Sequence, residues 1–396
     1  MRKIFIAALA AVAMVSCAKD EAVEINNGEA IGFAATTGRT TRAATIDSYD
    51  EFNMFRVWGF HKADATAAET ALMTNILVEK NQDGKGEWRY GDSYFWPTVG
   101  TCDFYGIYPT TDDVAESPIT VDMANKTVSY DIFTGNMMDW NPTDWVYAVN
   151  VNEARRNNQD TQDTKVPMNF RHAMSQIVFQ VKNTNKNLKV IIPEGTIRLE
   201  CVSQKGVYTL PSEDTAIEAN YADRVMGSWD VADLSEGHGC YVWANIKGAT
   251  LDGVSECLVA DFMAEDGAMI TIPQPVAAYD NVNDPDNEKL QAYFRMRILV
   301  TQEDTEIWPG YTAADGMIQV TKGEAYWVAI PIDATWLQGK KYTYTLIFGD
   351  GAGIVPPGTP VPPGEEIEPG DPILAPINFT VTIDDIVDAG NEDIYM

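Results

Sequence analysis

Histidine and basic residues are scarce in this chain of 396 residues. It holds 3 His, and 28 Lys and Arg stand against 58 Asp and Glu, which gives a formal net charge of −30. Three histidines leave little material for histidine-based metal centres or histidine-dependent catalysis. A charge this negative repels phosphate backbones, which excludes nucleic acid as a partner. We therefore expect no enzyme, no metal site and no cofactor.

Long apolar runs are also missing, apart from one near the N-terminus. Two basic residues precede the apolar run 4–15, which is shorter than the ~20 residues of a membrane-spanning helix and is typical of a secretory signal. The run leads into the sequence MVSC, which ends at Cys17 and resembles a bacterial lipobox. It predicts a lipoprotein signal peptide over 1–16 and an acylated Cys17 that anchors the precursor to the outer membrane. The alternative is an ordinary signal peptide with a coincidental cysteine.

Cysteine is sparse in the rest of the chain, where it occurs at Cys102, Cys201, Cys240 and Cys257. Four cysteines in a chain of this length do not form a disulfide framework, and none lies in a CxxC pair that would indicate zinc. All four fall in strand-like segments, so we expect buried free thiols. The sequence leaves their disulfide state open.

Strand-forming sequence, by contrast, is abundant. Short runs rich in β-branched and aromatic residues recur between clusters of Gly, Asn, Asp and Pro, for example at 55–60, 176–181, 325–330 and 342–348. Helical apolar periodicity is absent after the signal peptide. The pattern predicts an all-β fold built of sandwiches.

Two hydrophilic stretches predict boundaries. Residues 152–165 separate two strand-rich halves of similar size. Residues 350–376 hold eight Pro and five Gly, a composition that favours an extended spacer unable to pack a core. The predicted organisation begins with a signal peptide (1–16) and a pro-segment with a removable first strand (17–45). Two β-sandwich domains follow (46–165 and 166–349), and then a linker (350–376) and an appended strand segment (377–396).

A strand follows the predicted spacer. Its residues Ile377, Phe379, Val381 and Ile383 alternate with polar residues and form one apolar face. The segment 31–36 shares its I-x-F-x-x-T pattern. Two segments with the same apolar face could occupy the same slot in a sandwich.

A polar loop at 36–45 follows that first segment and carries isolated arginines at Arg39 and Arg42. Small polar residues around an arginine are typical of an exposed, protease-accessible loop. One interpretation is a plain surface loop. The other is that cleavage after Arg39 or Arg42 releases residues 31–35 together with the lipid anchor and opens a groove.

Several motifs then follow one another in a specific order. They are an early strand leading to TRA at 41–43, YFWP at 94–97 with DFY at 103–105 and YP at 108–109, FRHAMS at 170–175, and the strand 377–385. As an ordered set they resemble the fimbrillin family, the type V pilins of Gram-negative gut and oral anaerobes. The resemblance extends over most of the mature chain, although Ile386 stands where many members carry an aromatic residue.

The resemblance implies two transthyretin-like β-sandwich domains and a C-terminal appended strand, exported as a lipoprotein precursor. In the family, an Arg-specific protease removes the first strand, and an extended strand of one subunit fills the open groove of its neighbour. Carried over to this chain, Arg42 or alternatively Arg39 is the cleavage site, the displaced strand presents Ile31, Phe33 and Ala35, and the donor strand presents Ile377, Phe379, Val381 and Ile383. Whether the donor strand acts in trans or folds back on its own domain stays open, and the long spacer favours trans.

The implied function is a structural pilin subunit that polymerises into surface fimbriae for adhesion or biofilm. Its partners would be other pilin subunits, in a homopolymer or with tip and anchor subunits, the outer membrane through the lipid, and a host or bacterial surface ligand. The alternative is a monomeric surface lipoprotein that binds glycans, with Trp96 and Trp308 as stacking platforms.

A secreted hydrolase would need clustered catalytic groups, and none stands out. His172 lies beside Phe170 at the start of a strand and is interpreted as structural, while His61 and His238 have no catalytic partner at telling spacing. The acidic run 280–288 lacks the spacing of an EF-hand and is interpreted as a solvated loop.

Overall fold

The computed structural model describes most of the chain, namely residues 25–37, 52–81, 88–113, 117–132, 144–154, 165–215, 221–234, 239–265, 267–349 and 351–386. Cys17, Arg39, Arg42 and His238 lie outside the described residues. Within the described part, no helix is both long and apolar enough to cross a membrane.

Strands dominate the described residues. Those of the first half are β1 (Ile25–Ala30), β2 (Gly32–Thr37), β3 (Met54–Lys62), β4 (Thr70–Lys80), β5 (Trp88–Arg89), β6 (Phe95–Pro97), β7 (Thr101–Tyr108), β8 (Ile119–Asp122), β9 (Thr127–Asp131), β10 (Val146–Glu153) and β11 (Lys165–His172). Those of the second half are β12 (Ser175–Asn183), β13 (Leu188–Ile192), β14 (Gly195–Ser203), β15 (Lys205–Thr209), β16 (Ser228–Val231), β17 (Gly239–Ile246), β18 (Ala249–Asp252), β19 (Ser255–Cys257), β20 (Met269–Thr271), β21 (Pro275–Val276), β22 (Tyr293–Gln302), β23 (Thr305–Trp308), β24 (Ala313–Asp315), β25 (Ile318–Val320), β26 (Tyr326–Pro331), β27 (Ala334–Thr335), β28 (Lys340–Phe348) and β29 (Asn378–Asp385). Short helical turns lie at α1 (Val259–Phe262) and Tyr221–Asp223. The prediction of an all-β fold is confirmed.

Alternation of side chains explains why these segments are strands. In β28, Tyr342, Tyr344, Leu346 and Phe348 are buried, and the residues between them are partly exposed. Successive side chains of a strand point to opposite faces of the sheet, so this period of two commits one face to the core. β28 lies beside β12 and is parallel to it.

The first half of the chain forms a seven-stranded sheet in the order β2-β11-β10-β7-β3-β4-β5. β2 runs parallel to β11, and the other neighbours run antiparallel. Aromatic rings fill its core: Phe52 lies 4.7 Å from Phe170 and 5.5 Å from Trp88, measured between ring centroids. This aromatic core surrounds the inward side chains of β2.

The second half packs two sheets face to face. One has the order β19-β12-β28-β29, and the other has the order β17-β14-β22-β13-β18 with β26 also paired to β22. Phe179 of β12 meets Phe294 of β22 edge to face at 4.9 Å between centroids, and Phe294 meets Tyr344 of β28 at 5.0 Å. These rings lie at the centre of the larger apolar core.

The two halves also share a sheet, with the order β16-β15-β9-β8. β15 belongs to the predicted C-terminal domain, yet it pairs with β9 of the predicted N-terminal domain. Gln338 links the halves further, because it donates to the Tyr147 hydroxyl at 3.0 Å and accepts from the Tyr208 hydroxyl at 3.0 Å. The boundary predicted after residue 165 falls at the start of β11, a strand of the N-terminal sheet. The division into two sandwich domains stays a prediction.

The Pro- and Gly-rich segment corrects one expectation. Ala352, Ile354 and Val355 are 0% exposed and Ile373 is 3% exposed, so the statement that the segment cannot pack a core was wrong. Ile354 exchanges backbone hydrogen bonds with Ala329 of β26, at 2.9 and 3.0 Å. Proline and glycine dominate the composition of the segment, so its few apolar residues were overlooked. These residues pack against the core. The segment therefore runs along the sandwich and returns the chain to β28.

Candidate functional site

The predicted displaced strand plugs the core of the N-terminal sheet. Ile31 and Phe33 are each 1% exposed and Ala35 is 3% exposed. Ile31 directly precedes β2, and its side chain enters the core together with those of Phe33 and Ala35, while Gly32 and Ala34 lie on the other face. We call the space that they fill the β2 slot.

Phe33 is the anchor of the β2 slot. Its ring lies edge to face against Phe55, Tyr90 and Phe104, with centroids 6.1, 6.0 and 5.6 Å away. Such edge-to-face pairs add about 0.5–1.5 kcal/mol beyond the area they bury. Phe33 therefore adds three ring contacts to the apolar area that it buries in the slot.

Backbone groups complete the β2 slot. The Ile31 amide donates to the Tyr94 carbonyl at 2.8 Å, and the Tyr90 hydroxyl donates to the Ile31 carbonyl. Burial raises the pKa of Tyr90, so its hydroxyl stays protonated and remains a donor. All of these groups bind main-chain atoms, which any occupant of the slot supplies.

β2 lies at the end of its sheet, and β11 is its one ladder neighbour in that sheet. Removing β2 would leave the backbone of β11 unpaired along one side and an apolar groove above it. An open edge of this kind is a template for an incoming strand. The segment with Arg39 and Arg42 follows β2 directly in the sequence and lies outside the described residues, as does Cys17, which precedes β2.

The predicted donor strand is β29, and in this chain it lies on its own subunit. It pairs antiparallel with β28 over its whole length, from Ile347 opposite Asn378 to Lys340 opposite Asp385. The long spacer favoured a tail reaching outward, and the structure instead has the tail folded back. Residues 351–376 run along the sandwich, so the spacer brings the tail back to its own subunit.

Side chains of the predicted donor strand differ sharply in burial. Ile377 is 6% exposed, and Phe379 is partly buried with its ring 5.7 Å from Tyr344. Val381 is 38% exposed and Ile383 is 56% exposed. All four side chains point to the core side of the sheet. The opposing layer, however, does not fully cover Val381 and Ile383. The half of β29 that contains Val381 and Ile383 is therefore held by backbone hydrogen bonds, with little burial of its apolar side chains.

Three contacts that the sequence did not reveal fasten the end of the tail. Asp385 accepts a hydrogen bond from Lys340 Nζ at 2.6 Å and one from Arg224 Nη2 at 3.2 Å. Ile386 is 4% exposed, and its amide donates to the Gly339 carbonyl at 2.9 Å. Lys340 and Arg224 are distant in sequence from Asp385, so no local signal could have identified them.

Histidines and tryptophans that the sequence singled out lie inside the fold. His172 is buried with its Nδ1 against the Asp144 carboxylate, and His61 Nε2 lies 2.8 Å from the Val99 carbonyl oxygen. Trp96 is 4% exposed and Trp308 is 0% exposed. Neither ring is open to a glycan, so these two tryptophans are not the stacking platforms expected of the alternative function.

The three cysteines whose side chains are described are free thiols. Cys102 is buried as expected, whereas Cys201 and Cys257 are partly exposed, so the expectation of burial was wrong for these two. Burial raises the pKa of the Cys102 thiol to about 12, which keeps it protonated at neutral pH. Cys257 is a free thiol, and Cys201 accepts a hydrogen bond from Asn287 Nδ2 at 3.4 Å. The side chain of Cys240 is outside the description. No group of three or more potential metal ligands lies together in the described part of the chain.

Comparison with solved structures finds several bacterial proteins, all of them distant in sequence. A proposed cell adhesion protein of Bacteroides uniformis is 14% identical, with 90% of this chain and 99% of that chain covered and a TM-score of 0.41. One of Parabacteroides distasonis is 12% identical over 92% and 98%, with a TM-score of 0.44. The fimbrial anchor protein Mfa2 of Porphyromonas gingivalis is 12% identical over 80% and 90%, with a TM-score of 0.32. No curated protein matches the chain.

Sequence comparison with protein families is more decisive. The family described as fimbrillin-like matches residues 41–361, which is most of the chain and includes both core-forming halves. The motifs at 94–97, 103–105 and 170–175 all fall inside that match. This chain belongs to the fimbrillin-like family.

Proposed function

We propose that this protein is a structural pilin subunit of surface fimbriae that polymerises by donor-strand exchange. In this proposal it is exported as a lipoprotein acylated on Cys17 and anchored in the outer membrane. Cleavage at Arg42, or alternatively at Arg39, then removes β2 and the lipid together. The tail of a neighbouring subunit fills the β2 slot, and the resulting fimbria serves adhesion or biofilm formation.

Family membership supports the coarse role, because the family consists of structural fimbrial proteins rather than enzymes. The observation that carries the finer proposal is the contrast in burial between β2 and β29. The slot holds a removable edge strand with three buried side chains, and the tail holds the same apolar pattern with Val381 and Ile383 exposed. A strand with unburied apolar side chains gains free energy by moving into a slot that buries them.

The shared I-x-F-x-x-T pattern defines how the tail would enter. Aligned in this way, Ile377 takes the place of Ile31 and Phe379 takes the place of Phe33. Val381 then stands at Ala35 and adds two methyl groups to that part of the slot. Burying the part of Val381 and Ile383 that is still exposed, 38% and 56% respectively, contributes at most about 1.5–3 kcal/mol, before the cost of ordering the tail.

Arg-specific proteolysis of the purified full-length precursor tests this proposal. We expect a discrete N-terminal trim, followed by a ladder of oligomers on an SDS gel run without boiling. A chain ending at Pro376 should be trimmed and stay monomeric. The single variants Arg39→Ala and Arg42→Ala show which arginine is cleaved.

A paired set of tail variants makes the test specific. Val381→Ser with Ile383→Ser should abolish the ladder while lowering the free energy of unfolding of the monomer by at most about 1.5–3 kcal/mol, because 38% of Val381 and 56% of Ile383 are already exposed there. Thr380→Ser with Thr382→Ser alters the opposite face of the same strand and should leave the ladder intact. A full-length chain that is trimmed and remains monomeric would contradict strand exchange.

A further inference from the structure

The outer face of the C-terminal sandwich carries an unusual set of side chains. Arg198 of β14, Trp243 of β17, Arg295 and Arg297 of β22 and Trp327 of β26 alternate with core residues and therefore project away from the core. We call this set the arginine face. It is cationic in a chain whose net charge is −30.

Two of the arginines stand directly opposite each other. Arg198 pairs in register with Arg295 across β14 and β22. Like charges at directly opposed positions of an antiparallel pair destabilise the sheet. Stability alone does not favour this arrangement, whereas an anion bound between the two guanidinium groups would relieve it.

Aromatic rings hold the guanidinium groups in place. The Arg198 guanidinium carbon lies 4.8 Å from the centroid of the Tyr241 ring and 4.9 Å from that of Trp327. The Arg295 guanidinium carbon also lies 4.9 Å from the Trp327 centroid. Stacking of this kind leaves the edge of a guanidinium, where its N–H donors are, available for a planar acceptor such as a carboxylate.

Glu200 is the acidic neighbour of these arginines. Its carboxylate lies 3.8 Å from Arg295, which is beyond hydrogen-bond distance. Burial raises the pKa of Glu200 despite the attraction of Arg295 and Arg198. Within the described part of the chain, Arg198 has no carboxylate at ion-pair distance. The positive charge of the arginine face is therefore only partly compensated.

A shallow cavity opens at this face. It has a volume of about 160 Å³ and is lined by Arg198, Arg297 and Trp327 together with Glu194, Thr196 and Ile246. Arg297 is fixed there because its Nε and Nη2 donate to the Ala325 carbonyl at 3.2 and 3.0 Å. The cavity thus combines two oriented cations, the carboxylate of Glu194, a hydroxyl and the edge of an apolar ring system.

We propose that the arginine face binds a carboxylate-bearing sugar of an acidic polysaccharide, with the carboxylate at Arg198 and Arg297 and the sugar ring in the cavity beside Trp327. Arginine recognises carboxylates through paired N–H donors. Because the guanidinium groups of Arg198 and Arg295 lie over the Trp327 ring, the sugar packs against the edge of that ring. Nucleic acid is excluded as the ligand because the strongly acidic remainder of the chain repels its densely spaced negative charges. A short oligomer of acidic sugars carries few charges, so with salt screening it meets mainly the local cationic patch and is repelled less by the rest of the chain than a long phosphate backbone is.

Calorimetric titration of the full-length precursor with an oligogalacturonide tests this site. We expect saturable binding that weakens with added salt, and at least about tenfold weaker binding of a neutral galactose oligomer of equal length, since charge-assisted hydrogen bonds are lost. Arg198→Gln should weaken oligogalacturonide binding about tenfold. Glu200→Gln should strengthen it, because the competing carboxylate is removed.

Lys189→Gln is the matched control. Lys189 lies on β13 of the same sheet and is half-exposed beside Asp252, so this variant removes the same charge without touching the cavity. Equal loss of binding in Arg198→Gln and Lys189→Gln would overturn the proposal, as would the absence of oligogalacturonide binding. Polyglutamate binding as tight as that of the oligogalacturonide would overturn the sugar specificity. The titration uses uncleaved monomer, so its outcome does not depend on polymerisation.

Discussion

β2 and β29 carry the same apolar pattern and lie in different environments. Phe33 of β2 is surrounded by three rings, whereas Phe379 of β29 meets Tyr344 at the rim of its sandwich. Both strands lie at the edge of a sheet. The difference arises from the opposing layer, which covers the inward face of β2 and ends before it covers the far half of β29.

This contrast teaches that an alternating pattern defines a face without saying what covers it. β2 is held by side chains and backbone together, and β29 is held mainly by backbone, with Phe379 at the rim of the core and the contacts of Asp385 and Ile386. A strand held mainly by its backbone can exchange one edge for another at modest cost, because the new edge supplies the same hydrogen bonds. In the uncut chain, the tail is thus better suited to leave its position than β2 is. Cleavage after β2 would allow β2 to leave as well.

Locking β29 in place gives the largest expected effect on this contrast. Thr343 and Thr382 stand opposite each other across β28 and β29, on the outer face of the sheet. Opposed residues of antiparallel strands have Cα atoms about 4.5–5.5 Å apart, which suits a disulfide. Thr343→Cys with Thr382→Cys should be trimmed by the protease when oxidised and form no oligomers, as seen on an unboiled gel.

Reductant provides the control for this lock. Reduced Thr343→Cys with Thr382→Cys, and the single variant Thr382→Cys, should both regain the ladder. A ladder that forms while mass measurement shows the bridge intact would mean that the tail is not the donor.

Phenylalanine truncation compares the two strands directly. Phe33→Ala removes a fully buried ring and should lower the free energy of unfolding by about 3–5 kcal/mol. Phe379→Ala removes a partly buried ring at the rim and should cost less than half as much. Guanidinium chloride unfolding of the two precursors measures both. Equal costs would show that the tail is an integral part of its own core and not a strand ready to leave.

How much of this the sequence could predict depends on how local each signal is. The alternation of Ile31, Phe33 and Ala35 predicts one buried face, and their burial of 1–3% agrees with that. The packing of Ile354 was missed because prolines and glycines dominate its segment, and an average over composition hides single apolar residues.

Features assembled from distant strands could not be predicted at all. The residues of the arginine face come from β14, β17, β22 and β26, so only the sheet order brings Arg198 next to Trp327. The position of β29 on β28 likewise depends on the path of the preceding segment over the sandwich. In both cases the missing information is tertiary rather than a pattern along the chain.

Loosening the end of the tail gives the smallest expected effect and tests what holds β29. Asp385→Asn removes the charge that attracts Lys340 and Arg224, and all three side chains are partly exposed, between 15% and 29%. A pair in this setting contributes about 0.5–1 kcal/mol, which corresponds to about a two- to fivefold change in an opening equilibrium. Amide hydrogen exchange should therefore become faster by that factor in β29 and stay unchanged in β2.

Two controls, added salt and a variant of the neighbouring Asp384, distinguish the specific contacts of Asp385 from a general effect of the charge of the tail. High salt screens partly exposed ion pairs, so it should speed exchange in β29 of the unmodified chain and have little further effect on Asp385→Asn. Asp384→Asn removes the same charge one residue away and should leave exchange in β29 nearly as it is. If both variants loosen the strand equally, the net charge of the tail governs its release, and the geometry around Asp385 does not.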